Sequence, residues 1–210
     1  MPLAREGYRL IGAAAAVALL GLILGWTIVT IVALALTLFF LNFFRDPDRL
    51  TPPGPHLITS PADGRIVSVL AGVREERFVH GECRRVSIFM SPLDVHVNRI
   101  PVDGTVVDVA RRSGQFHAAY LDKSSEQNEQ TAVLIETDRG DRVLCVQIAG
   151  QLARRIICRL RPGERVHRGE RYGMITFGSR LDLYVPTAVE VSVRVGDRVS
   201  AGTSVIGAYP

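Results

Sequence analysis

Lysine is all but missing from this chain: Lys123 is the only one. It sits in a polar run, residues 122–126, a poor setting for a lysine that carries pyridoxal phosphate or a lipoyl or biotinyl arm. Cysteine is scarce too. Cys83, Cys145 and Cys158 have neither metal-type spacing nor a close pair. That argues against a zinc module and a disulfide framework, and for reduced, buried thiols facing a reducing compartment. Charge is missing from residues 8–44, where Arg9 stands almost alone. A basic stripe is missing as well. The net charge of +4 comes from arginines interspersed with Asp and Glu, which reads as a solvated surface and not as a nucleic-acid face. Some attraction to anionic lipid headgroups is left.

This hydrophobic tract is 37 residues long by its bounds, too long for one spanning helix of about 20 residues. Two helices turning near Gly25-Trp26-Thr27 fit it better. Arg5 and Arg9 stand at one end, and Arg45 and Arg49 at the other. The positive-inside tendency then puts both ends in the cytoplasm, as a hairpin. A secretory signal would have a shorter apolar region and a small-residue cleavage site. The prolines at 47, 52, 53 and 55 forbid helix and make a stiff, extended linker at the membrane surface. The expected division is residues 1–45 as a membrane-anchoring hairpin, 46–58 as linker and 59–210 as one domain.

That domain carries two sets of echoes. Pro61-Ala62-Asp63-Gly64 followed by Arg65–Val69 returns as Pro101-Val102-Asp103-Gly104 followed by Thr105–Val109. Each is a turn leading into a β-branched strand. Further on, Gly163-Glu164-Arg165-Val166-His167-Arg168-Gly169 matches Gly196-Asp197-Arg198-Val199-Ser200-Ala201-Gly202. Short strands are also expected at 86–90, 132–137 and 142–148, while 151–160 reads equally as helix or strand. The fold class is mainly β, a barrel-sandwich-like domain with few short helices behind a transmembrane helical hairpin.

Candidate chemistry is thinly spread. His96 lies between valines, where a core histidine is the plainer reading. His117 is in a polar excursion, residues 114–130, beside a Phe. His56, His80 and His167 lie in polar or turn contexts and are expected to be exposed. Near the C-terminus, Gly178-Ser179 falls between two apolar runs. Glycine permits close approach to its carbonyl, and the next hydroxyl is placed to attack it. A Gly-Ser pair is also a common turn.

Five ordered motifs decide between these readings. They are Phe44-Arg45-Asp46-Pro47, Ser60-Pro61-Ala62-Asp63-Gly64, Met90 to Asn98, Asn128-Glu129 and Phe177-Gly178-Ser179. With them the chain resembles the phosphatidylserine decarboxylases in their short, membrane-anchored form. The resemblance implies a proenzyme that cuts itself between Gly178 and Ser179. It implies a large β chain (1–178) and a small α chain (179–210) whose first residue becomes a pyruvoyl cofactor. It also implies an Asp-His-Ser arrangement for the cut, carried here by Asp63, His96 and Ser179. Longer members have a second His three residues after the first; here that position is Arg99, which leaves the division of roles between two histidines open. The implied substrate is phosphatidylserine in the membrane, converted to phosphatidylethanolamine and CO₂. The carbonyl on residue 179 would condense with its amine and take up the electrons left behind, with His96 as proton donor. Met90, Phe177 and His117 are the candidate substrate pocket, and Val95 and Val97 extend its apolar wall. No metal is implied, and the cut pieces form a β/α heterodimer, a higher oligomer being left open. The enzyme would sit in the cell membrane with its soluble domain on the cytoplasmic face. Two rivals lack their key residues. A lipoyl-type carrier needs a hairpin-tip lysine. A zinc hydrolase needs more ligands than the pair Asp94 and His96.

Overall fold

A computed structural model of the chain describes residues 2–114, 128–150, 155–176 and 179–210. It divides into two units, Met1–Asp48 and Arg49–Pro210.

The first unit is a helical hairpin. Helix α1 (Tyr8–Ile23) follows a single 3₁₀ turn, and helix α2 (Thr27–Phe43) returns after a break at Gly25, whose φ is 70°. Only glycine takes that left-handed conformation freely. Arg5–Ile23 is long and apolar enough to cross a membrane; Thr27–Phe43 is apolar but shorter. The hydroxyls of Thr30 and Thr37 donate to the carbonyls four residues back, of Trp26 and Ala33, so they add no bare polar group to the helix surface. The helices touch through small residues, Gly21 lying against Thr30. The N-terminal strand end closes the base of the hairpin, with Ala4 N–H donating to the Phe44 carbonyl and Asp46 N–H to that of Pro2. Leu19, Leu22, Ile23, Ile28, Ile31 and Leu38 remain exposed, an apolar surface of the kind a lipid phase covers.

The second unit is mainly β, as expected. Its strands are β1 (Leu57–Thr59), β2 (Gly64–Glu75), β3 (Gly81–Met90), β4 (Val97–Arg99), β5 (Gly104–Arg112), β6 (Gln130–Glu136) and β7 (Arg142–Ala149). They continue as β8 (Arg155–Cys158), β9 (Arg165–Val166), β10 (Arg171–Thr176), β11 (Ser179–Pro186), β12 (Glu190–Val191), β13 (Arg198–Val199) and β14 (Val205–Ala208). The stretch 151–160, which read equally as helix or strand, is strand over Arg155–Cys158. An eight-stranded antiparallel sheet runs β13-β2-β3-β11-β7-β6-β5-β9 and curls on itself. Two three-stranded sheets, β1-β14-β12 and β4-β10-β8, complete the unit.

The echoes in the sequence become a matched pair of half-sheets, β13-β2-β3-β11 and β9-β5-β6-β7, joined at β11 and β7. Gly64 pairs with Val199 as Gly104 pairs with Val166. Gly202 N–H donates to the Ser60 carbonyl, and Gly169 N–H to that of Ile100. Both turn glycines are required. A Cβ on Gly64, at φ 148°, would run into the Phe89 carbonyl, and one on Gly104 into that of Glu136.

One face of the large sheet holds the main core, including Ile66, Val86, Ile88, Val133, Leu181 and Leu183. Each such side chain contributes about 1.5–3 kcal/mol when fully buried. The other face carries a smaller cluster around Leu134, Leu144 and Ile148. All three cysteines are free and buried. The proline-rich linker is extended, but it is strapped to the β unit. Arg168 donates to the carbonyls of Pro52, Gly54 and Leu57, and Thr51 lies against Gly169.

Candidate active site

Ser179 opens β11 at the middle of the large sheet. It pairs with Met90 at the end of β3 and with Ala149 at the end of β7. Period-two alternation sends Ser179, Leu181 and Leu183 to the main core and Arg180, Asp182 and Tyr184 to the other face. Ser179 is fully buried, and its hydroxyl donates to the Met90 sulfur at 3.7 Å. A thioether is a weak acceptor, so this oxygen is not tied up by a strong partner.

Two of the five motifs meet at this point. Asn128 Nδ2 donates to the Ala149 carbonyl at 2.7 Å, and Ala149 N–H to the Glu129 carbonyl. Asn128-Glu129 therefore braces the residue paired with Ser179. On the other flank, Asn98 Nδ2 reaches the same Met90 sulfur at 3.8 Å. Gln147 Nε2 donates to Asn98 Oδ1 at 2.8 Å, which fixes the amide with its nitrogen toward Met90. Asn98 and Gln147 are both fully buried, and sequence patterning alone did not mark Gln147.

His96 is fully buried just before β4. Its Nδ1 lies 2.9 Å from the Asp94 carbonyl. A carbonyl only accepts, so Nδ1 carries the hydrogen and Nε2 is the basic nitrogen of the neutral ring. The His96 carbonyl in turn accepts from Ile175 N–H on β10, the strand that leads toward position 177. Asp94 is occupied by its own turn, accepting from the Ser91 N–H and hydroxyl. Met90, Val95 and Val97 are all buried. Phe177, Gly178 and His117 lie outside the described residues. His56, His80 and His167 are exposed, as expected.

Asp63 does not bond to His96 or Ser179 here. Oδ1 accepts from Ala201 N–H at 2.8 Å, and Oδ2 accepts from Arg49 at 2.7 Å. Burial raises its pKa above the usual carboxylate value, against the opposing pull of the Ala201 N–H and Arg49. Arg99 is buried, with Nη1 donating to the Gly169 carbonyl at 2.8 Å. The surface reading of the arginines fails at Arg180. It is fully buried, with Nε bonding Asp182 at 2.6 Å and Nη2 bonding the Ser87 hydroxyl at 2.8 Å.

The comparisons with known proteins bear on the whole chain. The family model described as "Phosphatidylserine decarboxylase" matches residues 36–207. A phosphatidylserine decarboxylase proenzyme of Syntrophotalea carbinolica is 47% identical over 98% of this chain and 96% of its own. Those of Symbiobacterium thermophilum and Geobacter sulfurreducens are 47% and 44% identical over 99% and 100% of this chain, and 96% and 97% of their own. The chain belongs to the phosphatidylserine decarboxylase family.

Proposed function

We propose that this protein decarboxylates phosphatidylserine to phosphatidylethanolamine after cutting itself between Gly178 and Ser179. The observation that carries this is a buried serine at the head of the central strand, its hydroxyl resting on a weak acceptor, in a chain of this family.

Ser179 Oγ attacks the carbonyl carbon of residue 178 and gives up its proton to a base. His96 Nε2 fills that role by its tautomer. The new C–O bond replaces the C–N bond, and the freed amine of residue 179 takes a proton. Loss of the α-hydrogen of residue 179 then expels residue 178 as a carboxylate. Water releases the nitrogen as ammonia, leaving a pyruvoyl group as the first residue of 179–210. Asp63 supports the charge that develops around the base, through the Asp-His-Ser logic.

The surroundings of position 179 fit a pyruvoyl group, because they are dry and hold a donor amide aimed toward Met90. When formed, that group supplies the electrophile and the electron sink for loss of CO₂. The protein's own tasks are to exclude water, which disfavours a retained carboxylate, and to return a proton to the substrate carbon from His96. The hairpin spans the membrane with both ends in the cytoplasm and tethers the β unit at the lipid surface. The test is CO₂ release from phosphatidylserine vesicles by the full chain. Parent protein is expected to release it; Ser179→Ala and His96→Ala are expected to release none, and turnover by Ser179→Ala would refute the proposal.

A further inference from the structure

The two half-sheets give the molecule an internal reference for Asp63. Asp103 stands at the matching position in the other half. Asp63 Oδ1 accepts from Ala201 N–H at 2.8 Å, and Asp103 Oδ1 accepts from Arg168 N–H at 3.0 Å. Ala201 and Arg168 are themselves matching residues of the second echo. One carboxylate oxygen is thus accounted for by the fold, since each half uses it to cap a turn. The second oxygen is not. At Asp103 the side chain is 41% exposed, and His167 Nδ1 lies 3.6 Å from Oδ1, the capping oxygen itself. At Asp63 the side chain is 13% exposed, and Oδ2 is held by Arg49 at 2.7 Å. Arg49 is 13% exposed, is the first residue after the hairpin unit, and also reaches Thr203 Oγ1 at 3.4 Å. The strap that Arg168 and Thr51 pin to the β unit fixes the chain beyond it.

We propose that Arg49 is a positioning residue of maturation, holding the second oxygen of Asp63 where the cut between Gly178 and Ser179 needs it. This rests on Asp63 taking part in the cut, as proposed above. The turn needs one oxygen; the arginine serves the other. The charged groups that act on Asp63 are Arg49, which favours its carboxylate, and Asp94, which disfavours it. Asp94 in turn faces Arg198 at 3.8 Å. Burial already works against the Asp63 carboxylate, so removing Arg49 leaves it protonated over a wider acid range. An opposite charge at this distance moves a carboxyl by about one to three pH units.

The experiment follows self-cutting of freshly synthesised full chain in liposomes from pH 5 to pH 8. Arg49→Gln is expected to lower the ratio of the rate at pH 5 to that at pH 8 by about tenfold or more relative to parent. Arg49→Lys, which keeps the charge and one donor, is expected to recover most of the ratio. Asp103→Asn removes the matching turn cap and is expected to cut as parent does. Asp63→Asn is expected to stop the cut. Parental rate and pH profile in Arg49→Gln, with Asp63→Asn blocked, would overturn the role of Arg49 and leave that of Asp63 standing. Equal slowing in Arg49→Gln and Arg49→Lys, with lowered melting temperatures, would overturn it in favour of packing. Normal cutting by Asp63→Asn would remove both.

Discussion

The Ser179 hydroxyl meets the Met90 sulfur at 3.7 Å, across a register pair that joins β11 to β3. A buried hydroxyl held by a thioether is shielded from water yet keeps its lone pairs for other work. Met90→Leu preserves volume and removes only the weak acceptor. It is expected to cost less than about 1.5 kcal/mol and to leave self-cutting intact. Met90→Ala opens a cavity beside the serine and is expected to cost about 2–5 kcal/mol. Thermal unfolding in detergent, with a gel assay for the cut, checks both.

A cut before Ser179 leaves β11 between β3 and β7, both belonging to residues 1–178. The strand keeps its backbone hydrogen bonds and its buried Leu181, Leu183 and Val185. The two pieces are therefore expected to travel together on native size-exclusion chromatography and to separate only in denaturant. Dissociation without denaturant would show that the strand is not embedded as described.

Arg180 and Asp182 form a fully buried pair on the face opposite Ser179. Removing Asp182 takes from buried Arg180 the carboxylate that its Nε and Nη2 bond. Asp182→Ala is expected to cost about 3–5 kcal/mol. Replacing both, as Arg180→Met with Asp182→Leu, is expected to recover most of that loss, because an apolar pair of similar volume needs no desolvation of charge. Melting temperatures of the single and double variants decide this.

The sequence shows these parts unequally. The turn glycines Gly64 and Gly104, and the echoes around them, were legible because a tight turn and a close carbonyl approach leave few residue choices. The hairpin was legible from length and missing charge, and Gly25 marks its turn. Arg49 and Asp63 were not legible as a pair, because an irregular proline-rich strap sets their meeting and no periodicity describes one. Arg180 and Asp182 alternate with Leu181 and Leu183 as solvent-facing residues do; they are buried because this face of the sheet is covered too. Gln147 hid in an apolar run, since pattern cannot say that its amide orients Asn98.

Cys83 is fully buried, and burial with the nearby Glu75 pushes its thiol up to about 11. Two units above its ordinary value means roughly a hundredfold less thiolate near neutral pH. Native protein at pH 7.5 is expected to resist a thiol-labelling reagent, while denatured protein takes up label at Cys83, Cys145 and Cys158. Fast labelling of native protein would contradict the burial of these side chains.

The central claim is that the polypeptide makes its own carbonyl at position 179, and intact-mass measurement of freshly purified, active protein tests it most directly. Two masses are expected, for residues 1–178 and 179–210, the smaller beginning with a carbonyl-bearing group in place of serine. Ser179→Ala is expected to give one uncut mass. A single unbroken chain with an ordinary serine at 179, in material that releases CO₂ from phosphatidylserine, would contradict the account.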